Sequence, residues 1–359
     1  MLAETEAGDG IEKLKGVVCP GFINAHCHLE LSHMKGLIPK HTGLVDFVVK
    51  VVNERHFSAD EIMAAIDLAE KEMIQNGIVA VGDICNNTLT IPQKTKGNLY
   101  YHNFIETSGF PPVIAEARLK RAVDIYNEYA QKFSNNSIVP HAPYSVSPAM
   151  FAMINDLPNN DLLTIHNQET CAENEFFEKG TGDLLKLYEQ MGIEISFFKP
   201  SRKTSLQTWL PHFTKGQTII LVHNVSASAN DLLFEKLQTA NYKLRTFYCL
   251  CPNANVYISN TLPGINLLMQ NTGNMVLGTD SLASNDRLCI LEEIKTLQHY
   301  CKELELSTLL QWATSNGSIA LHMDNKLGSF EKGKQPGVVL IEGVEDLKLK
   351  NDATARRIL

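Results

Sequence analysis

Eight apolar, strand-like runs recur along this 359-residue chain, separated by helix-like stretches, and several of them carry imidazole or carboxylate at their ends. The first is Pro20-Gly21-Phe22-Ile23-Asn24-Ala25-His26-Cys27-His28. Side chains at i and i+2 of a strand point the same way. His26 and His28 therefore project together, close enough to hold one metal ion. A solvated pair would have the same spacing. The other runs weigh against that: His166 lies in LLTIHNQE, His223 in TIILVHN and Asp280 in MVLGTDS, each at the end of its run. Imidazole and carboxylate are the ligands expected of zinc and similar divalent metals.

The order of elements sets the fold expectation. Residues 17–25 form the first run, and Ser58-Ala59-Asp60-Glu61 reads as a capping box opening a helix that stops at Gly77. Strand-like runs follow at 78–84, 98–106, 137–143, 162–169, 218–224, 243–250 and 275–281. Residues 112–133 carry an amphipathic helical pattern, and Ser147-Pro148 opens another helix with a cap and a proline at its first position. Helical patterns continue through 290–303 and 307–321, where Trp312 reads as helix core. Eight strands alternating with helices predict an α/β protein, a (β/α)8 TIM barrel over residues 19–326. An open doubly wound sheet is the competitor. The barrel is preferred because its strand ends converge on one mouth, whereas in an open sheet the first and eighth strands would seldom be neighbours. Residues 327–343 read as turn, turn, strand. With the chain start they predict a small β appendage, from residues 1–18 and 327–359.

Composition narrows the partners. Hydrophobic residues make up 44% of the chain, as in an ordinary globular protein. The net charge of -8, with no long lysine or arginine run, argues against a nucleic-acid or anionic-membrane partner. The start MLAETEAGDG shows neither the basic nor the apolar region of a secretory signal, and no apolar run approaches the ~20 residues of a membrane span. The eight cysteines contain no CxxC pair and read as reduced thiols, so a cytoplasmic location is expected.

PGFINAHCHLE, the HxxE of His166-Asn167-Gln168-Glu169, LVHN and GTDSLASN resemble, in order, the motifs of the amidohydrolase superfamily of metal-dependent hydrolases. The resemblance spans essentially the whole chain. HAPYSVS (141–147) and CPNANVYI (251–258) resemble the branch holding cytosine, guanine, S-adenosylhomocysteine and aminodeoxyfutalosine deaminases and triazine chlorohydrolases. The chain departs from that pattern in its short lead before His26, so that either the β-sandwich is reduced or the chain begins late, and in Gly337, where relatives often carry aspartate.

The resemblance implies roles. His26, His28, His166 and Asp280 would bind the metal, although Asp280 also fits a helix N-cap. Binuclear relatives bridge their metals through a lysine or carboxylate on strand four. Here that strand, SIVPHAP, has neither, so one divalent ion per chain is expected, zinc first, with iron or manganese as alternatives. Glu169 would move protons to and from the substrate, and His223 and Asp280 would take the proton of the attacking water; His223 also fits a fifth ligand. His141, Arg202 and Glu30 are candidate substrate contacts, each with an equally simple structural role. The implied reaction is hydrolytic deamination of a small aminated purine-like or other heterocycle. The alternatives are loss of another leaving group such as chloride, cleavage of an amide, or a non-catalytic metal-binding scaffold. A homodimer would be usual for such an enzyme.

Overall fold

The computed structural model describes residues 13–359. The first residues of the expected terminal appendage, 1–12, lie outside the described residues. Eleven strands are present in that range: β1 (Val17–Pro20), β2 (Phe22–Cys27), β3 (Ile78–Cys85), β4 (Tyr100–Thr107), β5 (Asn136–Pro140), β6 (Leu162–Asn167), β7 (Thr218–His223), β8 (Arg245–Leu250), β9 (Met275–Leu277), β10 (Val338–Glu345) and β11 (Lys348–Arg357). The eight strands β2 to β9 pair in parallel, in the orders β2-β3-β4-β5 and β6-β7-β8-β9. Every residue of β2, β3, β5, β6, β7 and β9 is buried. Strands covered on both faces read as continuous apolar runs and not as alternation, which is why these segments stand out in the sequence.

Both edges where the two sheets meet are bonded. At one, Cys27 bridges in parallel to Asp280, and His26 O accepts from Thr279 N (3.0 Å) and Asp280 N (3.2 Å). Asn24 reinforces this edge, giving Nδ2 to Thr279 Oγ1 (2.7 Å) and taking Thr279 N on Oδ1 (3.0 Å). At the other edge, His166 N donates to His141 O (2.9 Å), and the Asn160 side chain pairs with the Ile138 backbone (3.0 and 2.8 Å). Gly278 allows the first edge to close: a Cβ there would fall 2.8 Å from Cys249 Sγ and 2.9 Å from both His26 Cβ and His26 O.

Helices cover the strands. The helix Ala59–Gln75 opens with the expected capping box of Ser58 and Glu61, and Gly77 beyond it has φ +88°. Its buried Ile62, Ile66, Ala69 and Met73 form one stripe facing the sheet. Trp312 is buried. All eight cysteines are free thiols. No helix among the described residues is long and apolar enough to cross a membrane.

Two sequence expectations change. The first run, 17–25, is two strands. Gly21 donates its N–H to Pro336 O (3.0 Å), and a Cβ there would meet Val79 Cγ1 at 2.2 Å. The chain switches sheets at that crowded point, so β1 joins β10 and β11 in a three-stranded antiparallel sheet. The tail also holds β11, which the sequence reading missed. KLKNDATARR is polar and mostly exposed, so it carries no apolar signal. It follows β10 through Asp346 and Leu347, both at positive φ, as a two-residue hairpin requires.

The Gly278 contact has a measurable consequence. Gly278→Ala should destabilise the protein by about 1–3 kcal/mol, because the neighbouring backbone has no room to yield. Gly273→Ala, with open space around the new Cβ, should stay within about 0.5 kcal/mol of wild type. Urea unfolding midpoints for the pair check this; equal midpoints would contradict the close approach.

Candidate active site and metal centre

β2 delivers His26, the residue just past its end is His28, β6 delivers His166, and the turn after β9 delivers Asp280. The Cys27–Asp280 bridge brings the first and last of these together. One ligand atom from each of the four lies within 4.8 Å of the others. Asp280 Oδ1 is 3.6 Å from His26 Nε2 and 3.4 Å from His28 Nε2, and His28 Nε2 is 3.2 Å from His166 Nε2. All four residues are buried.

This arrangement fits a bound cation. His166 Nδ1 donates to His141 O at 2.8 Å, so its Nε2 carries a lone pair toward His28. Burial, with the surrounding imidazoles adding, keeps His166 well below the ordinary histidine range; burial also lowers His28, against the pull of Asp280. With His28 also carrying its lone pair on Nε2, the two nitrogens would point at one place between them, where a cation fits; with the other His28 tautomer they share a hydrogen bond. Both ring nitrogens of His26 are buried without a hydrogen-bond partner, a cost that a metal bond at one of them would offset. Burial alone would raise the Asp280 carboxyl. Contact with His26 and the nearness of His28 and His223 bring it well below the usual range, so it is an anion. Ser284 Oγ donates to its other oxygen at 2.6 Å, the kind of outer contact that fixes a carboxylate ligand. Three imidazoles and one carboxylate form a donor set suited to zinc.

Glu169 and His223 lie beside this cluster. Glu169 Oε1 is 3.5 Å from His223 Nε2, and His223 Nδ1 is 3.2 Å from Asn255 Nδ2. Burial pushes the Glu169 carboxyl well above its ordinary range, with Asp280 and Glu173 adding, which favours its protonated form. Burial pushes His223 down to about 4, so it is uncharged at neutral pH. The Glu173 carboxylate positions the loop, accepting the amides of Gln168 (2.9 Å) and Glu169 (3.3 Å) and the Ser205 hydroxyl. Gln168, His223, Asn224 and Asp280 all have φ between +48° and +74°. Backbone strain of this kind at the ends of β6, β7 and β9 marks residues held by their surroundings, as is common at active sites.

The cluster floors a cleft of about 330 Å³. Leu44, Phe47, Val48, Phe110, Ile114 and Tyr188 form an apolar wall; His28, Glu106, His141, His166, Glu169 and Asp280 form the polar floor. A more polar cavity of about 400 Å³ adjoins it, sharing Glu30, Asn86, Glu106, Arg55 and Arg118, and includes Arg121.

The three proposed substrate contacts fall differently. Glu30 lines the cleft, accepts the Asn86 amide at 3.0 Å, and is pushed up to about 7 by burial. His141 lines it too, half-buried, with Nδ1 2.7 Å from Ser145 Oγ. Arg202 is exposed and lines neither cavity; its backbone N–H donates to Phe177 O at 3.2 Å. Sequence reasoning missed Glu106, at the end of β4. Its Oε1 is buried without a hydrogen-bond partner, 3.7 Å from His166 Nδ1. The signal was there, since the run NLYYHNFIE ends in Glu106 just as the other runs end in their ligands.

Comparison with known proteins agrees with this geometry. Residues 17–358 match the sequence model of the Amidohydrolase family. The chain is 27% identical over 329 residues to an adenosine deaminase of Helicobacter pylori, covering 89% of this chain and 77% of that protein. It is 26% identical over 351 residues to a 5-methylthioadenosine/S-adenosylhomocysteine deaminase of Thermoanaerobacter pseudethanolicus, covering 92% and 74%. The crystal structure of Helicobacter pylori aminofutalosine deaminase with methylthio-coformycin superposes with a TM-score of 0.77 at 22% identity, covering 93% of this chain and 81% of that one. A zinc-bound adenosine deaminase of Xanthomonas campestris gives 0.66 at 20% identity, covering 91% and 72%. These two structures establish a shared fold.

The donor set predicts a simple stoichiometry. Metal-depleted protein titrated with Zn²⁺ should take up one ion per chain, and His26→Ala should weaken that uptake by at least ~100-fold, since it removes a ligand and not only an outer contact. Wild-type affinity in His26→Ala would exclude this site.

Proposed function

Because the chain belongs to the Amidohydrolase family, we propose that it is a metal-dependent hydrolytic deaminase acting on an aminated, adenosine-like heterocycle. The observation that carries this reading is Glu169, a buried carboxyl 3.5 Å from His223 beside a cluster of three histidines and an aspartate, where burial favours its protonated form. Its curated relatives are named as deaminases of adenosine, 5-methylthioadenosine and 5'-deoxyadenosine. In reaction class it is a hydrolase of carbon–nitrogen bonds other than peptide bonds.

The architecture that goes with this reading is a closed (β/α)8 barrel over residues 19–326, with the small sheet of β1, β10 and β11 as its appendage. Backbone hydrogen bonds at both edges between the parallel sheets support closure. The strand ends would then share one mouth, where such enzymes place their chemistry.

His26, His28, His166 and Asp280 would hold one divalent ion, with zinc the best match to the donors and iron or manganese as alternatives. A second group, Glu106, His141 and His166, shares His166, whose Nδ1 already donates to the His141 carbonyl; this supports a single ion. A bound ion of this kind supplies Lewis acidity, lowering the pKa of water at the site from 15.7 toward ~7.

The side chains supply the proton transfers. The substrate ring lies against the apolar wall with its amino-bearing carbon over the cluster. Glu169 gives its proton to the ring nitrogen next to that carbon, making the carbon electrophilic. Asp280 and His223 accept the proton of the attacking water. The water oxygen bonds to that carbon; the proton taken by Asp280 and His223 then passes to the amine, the ring nitrogen returns its own to Glu169, the carbon–nitrogen bond breaks, and ammonia leaves with the oxygen retained on the ring. Glu30 and His141, both in the cleft, are the proposed substrate contacts.

An ammonia-release screen over adenosine, 5-methylthioadenosine, 5'-deoxyadenosine and guanine tests the reading. Glu169→Gln should keep the metal and lose ~10²–10⁴-fold in kcat, because an amide cannot donate and recover an acidic proton. A glutamine variant at near wild-type rate would defeat the proton-transfer role. Chloride release from a chlorinated triazine without ammonia release from any amine would defeat the deaminase reading.

A further inference from the structure

The chain leaves β2 at Cys27 and turns at His28 into the 3-10 helix Leu29–Met34. Helix starts leave backbone N–H groups without partners, and the preceding side chain usually caps one of them. Here His28 does not, because its ring is turned toward His166 and Asp280. The Leu29 N–H is taken instead by Asp83 Oδ1 at 2.8 Å, from β3, where Asp83 stands opposite Cys27 in register.

Asp83 has a second partner. Its Oδ2 lies 2.5 Å from Lys94 Nζ, and neither side chain is exposed at all. Lys94 also donates to Asn103 Oδ1 on β4 (2.8 Å) and to Cys85 Sγ (3.2 Å), and sits over the rings of Tyr101 and Tyr129. Lysine is almost never fully buried unless paired. Burial disfavours its charge, but Asp83 more than compensates and keeps Lys94 above the ordinary lysine range. The strands do not need this pair, since β2, β3 and β4 are already joined through their backbones. What the pair adds is a fixed acceptor at Leu29, the residue between His28 of the metal cluster and Glu30 of the cleft.

We propose that Asp83 is a positioning residue for the metal centre, capping Leu29 so that His28 and Glu30 are held in place before any ion binds, and that Lys94 is the buried countercharge that keeps a carboxylate there. The inference rests on the metal-centre reading above.

Two double variants isolate the cap from the charges. Asp83→Asn with Lys94→Met removes both charges and keeps an acceptor oxygen at position 83. Asp83→Leu with Lys94→Met removes both charges and the acceptor, at similar volume. Each is stripped and titrated with Zn²⁺ against a chromophoric chelator, beside wild type. The asparagine variant should bind within a few-fold of wild type, and the leucine variant ~10–100-fold more weakly, the range typical of outer contacts to a metal site. Equal affinities in the two variants, whether wild-type or weakened, overturn the proposal. Should the leucine variant not fold, hydrogen exchange at Leu29 decides. The amide should be protected in metal-free wild type and in the asparagine variant; exchange as fast as an exposed loop amide in metal-free wild type overturns the proposal. A wild-type chain that takes up no Zn²⁺ defeats the metal-centre reading and this inference with it. Normal wild-type uptake with indistinguishable variants defeats this inference alone.

Discussion

The pairing of Cys27 with Asp280 is the contact on which the rest of the site depends. It joins the first parallel strand to the turn after the last, across more than two hundred residues of chain. Without it, three histidines would have no anion among them, and the carboxylate would have no reason to face inward. Three features serve this one contact. Gly278 leaves room for His26, Asn24 takes both polar groups of Thr279, and Asp280 accepts a left-handed backbone. Aspartate tolerates that conformation better than most residues, which makes it a natural ligand where a strand must turn sharply outward.

Electrostatics then divides the work among chemically similar groups. Asp280 and Glu169 are both buried carboxyls, yet their environments push them in opposite directions. Asp280 has imidazoles around it and stays ionised. Glu169 has burial and two neighbouring carboxyls against its charge, which favours its protonated form. Setting two titratable groups apart in this way lets one site offer both an anion for a cation and a proton for a substrate. Burial lowers His28 and His166 and so favours their neutral, metal-binding form.

Much of this was legible in the sequence because the fold is written as apolar runs and the chemistry sits at their ends. His26 and His28 stand out by their two-residue spacing once His166, His223 and Asp280 are seen at the close of other apolar runs. Glu169 stood out only through the resemblance of HxxE to the family motif. What was not legible depends on contacts between distant segments. Nothing in VVCPGFINAH marks Gly21 as the point where the chain changes sheets, since the apolar pattern runs through it. β11 escaped because an exposed strand of polar residues leaves no periodic trace. Arg202 was a candidate by residue type, but it is exposed and lines neither cavity. Asp83 and Lys94 were invisible as a pair, because a buried charge looks like a surface charge until its partner is known.

The central claim is that three imidazoles and a carboxylate from β2, β6 and the turn after β9 converge on one ion. X-ray absorption at the zinc edge of the reconstituted protein tests it most directly. The account predicts a first shell of nitrogen and oxygen donors only, with Zn–N distances near ~2.0–2.1 Å and the outer scattering of about three imidazole rings. A sulfur shell near ~2.3 Å would place the ion on cysteine and contradict the account. So would a spectrum of hydrated zinc with no imidazole scattering.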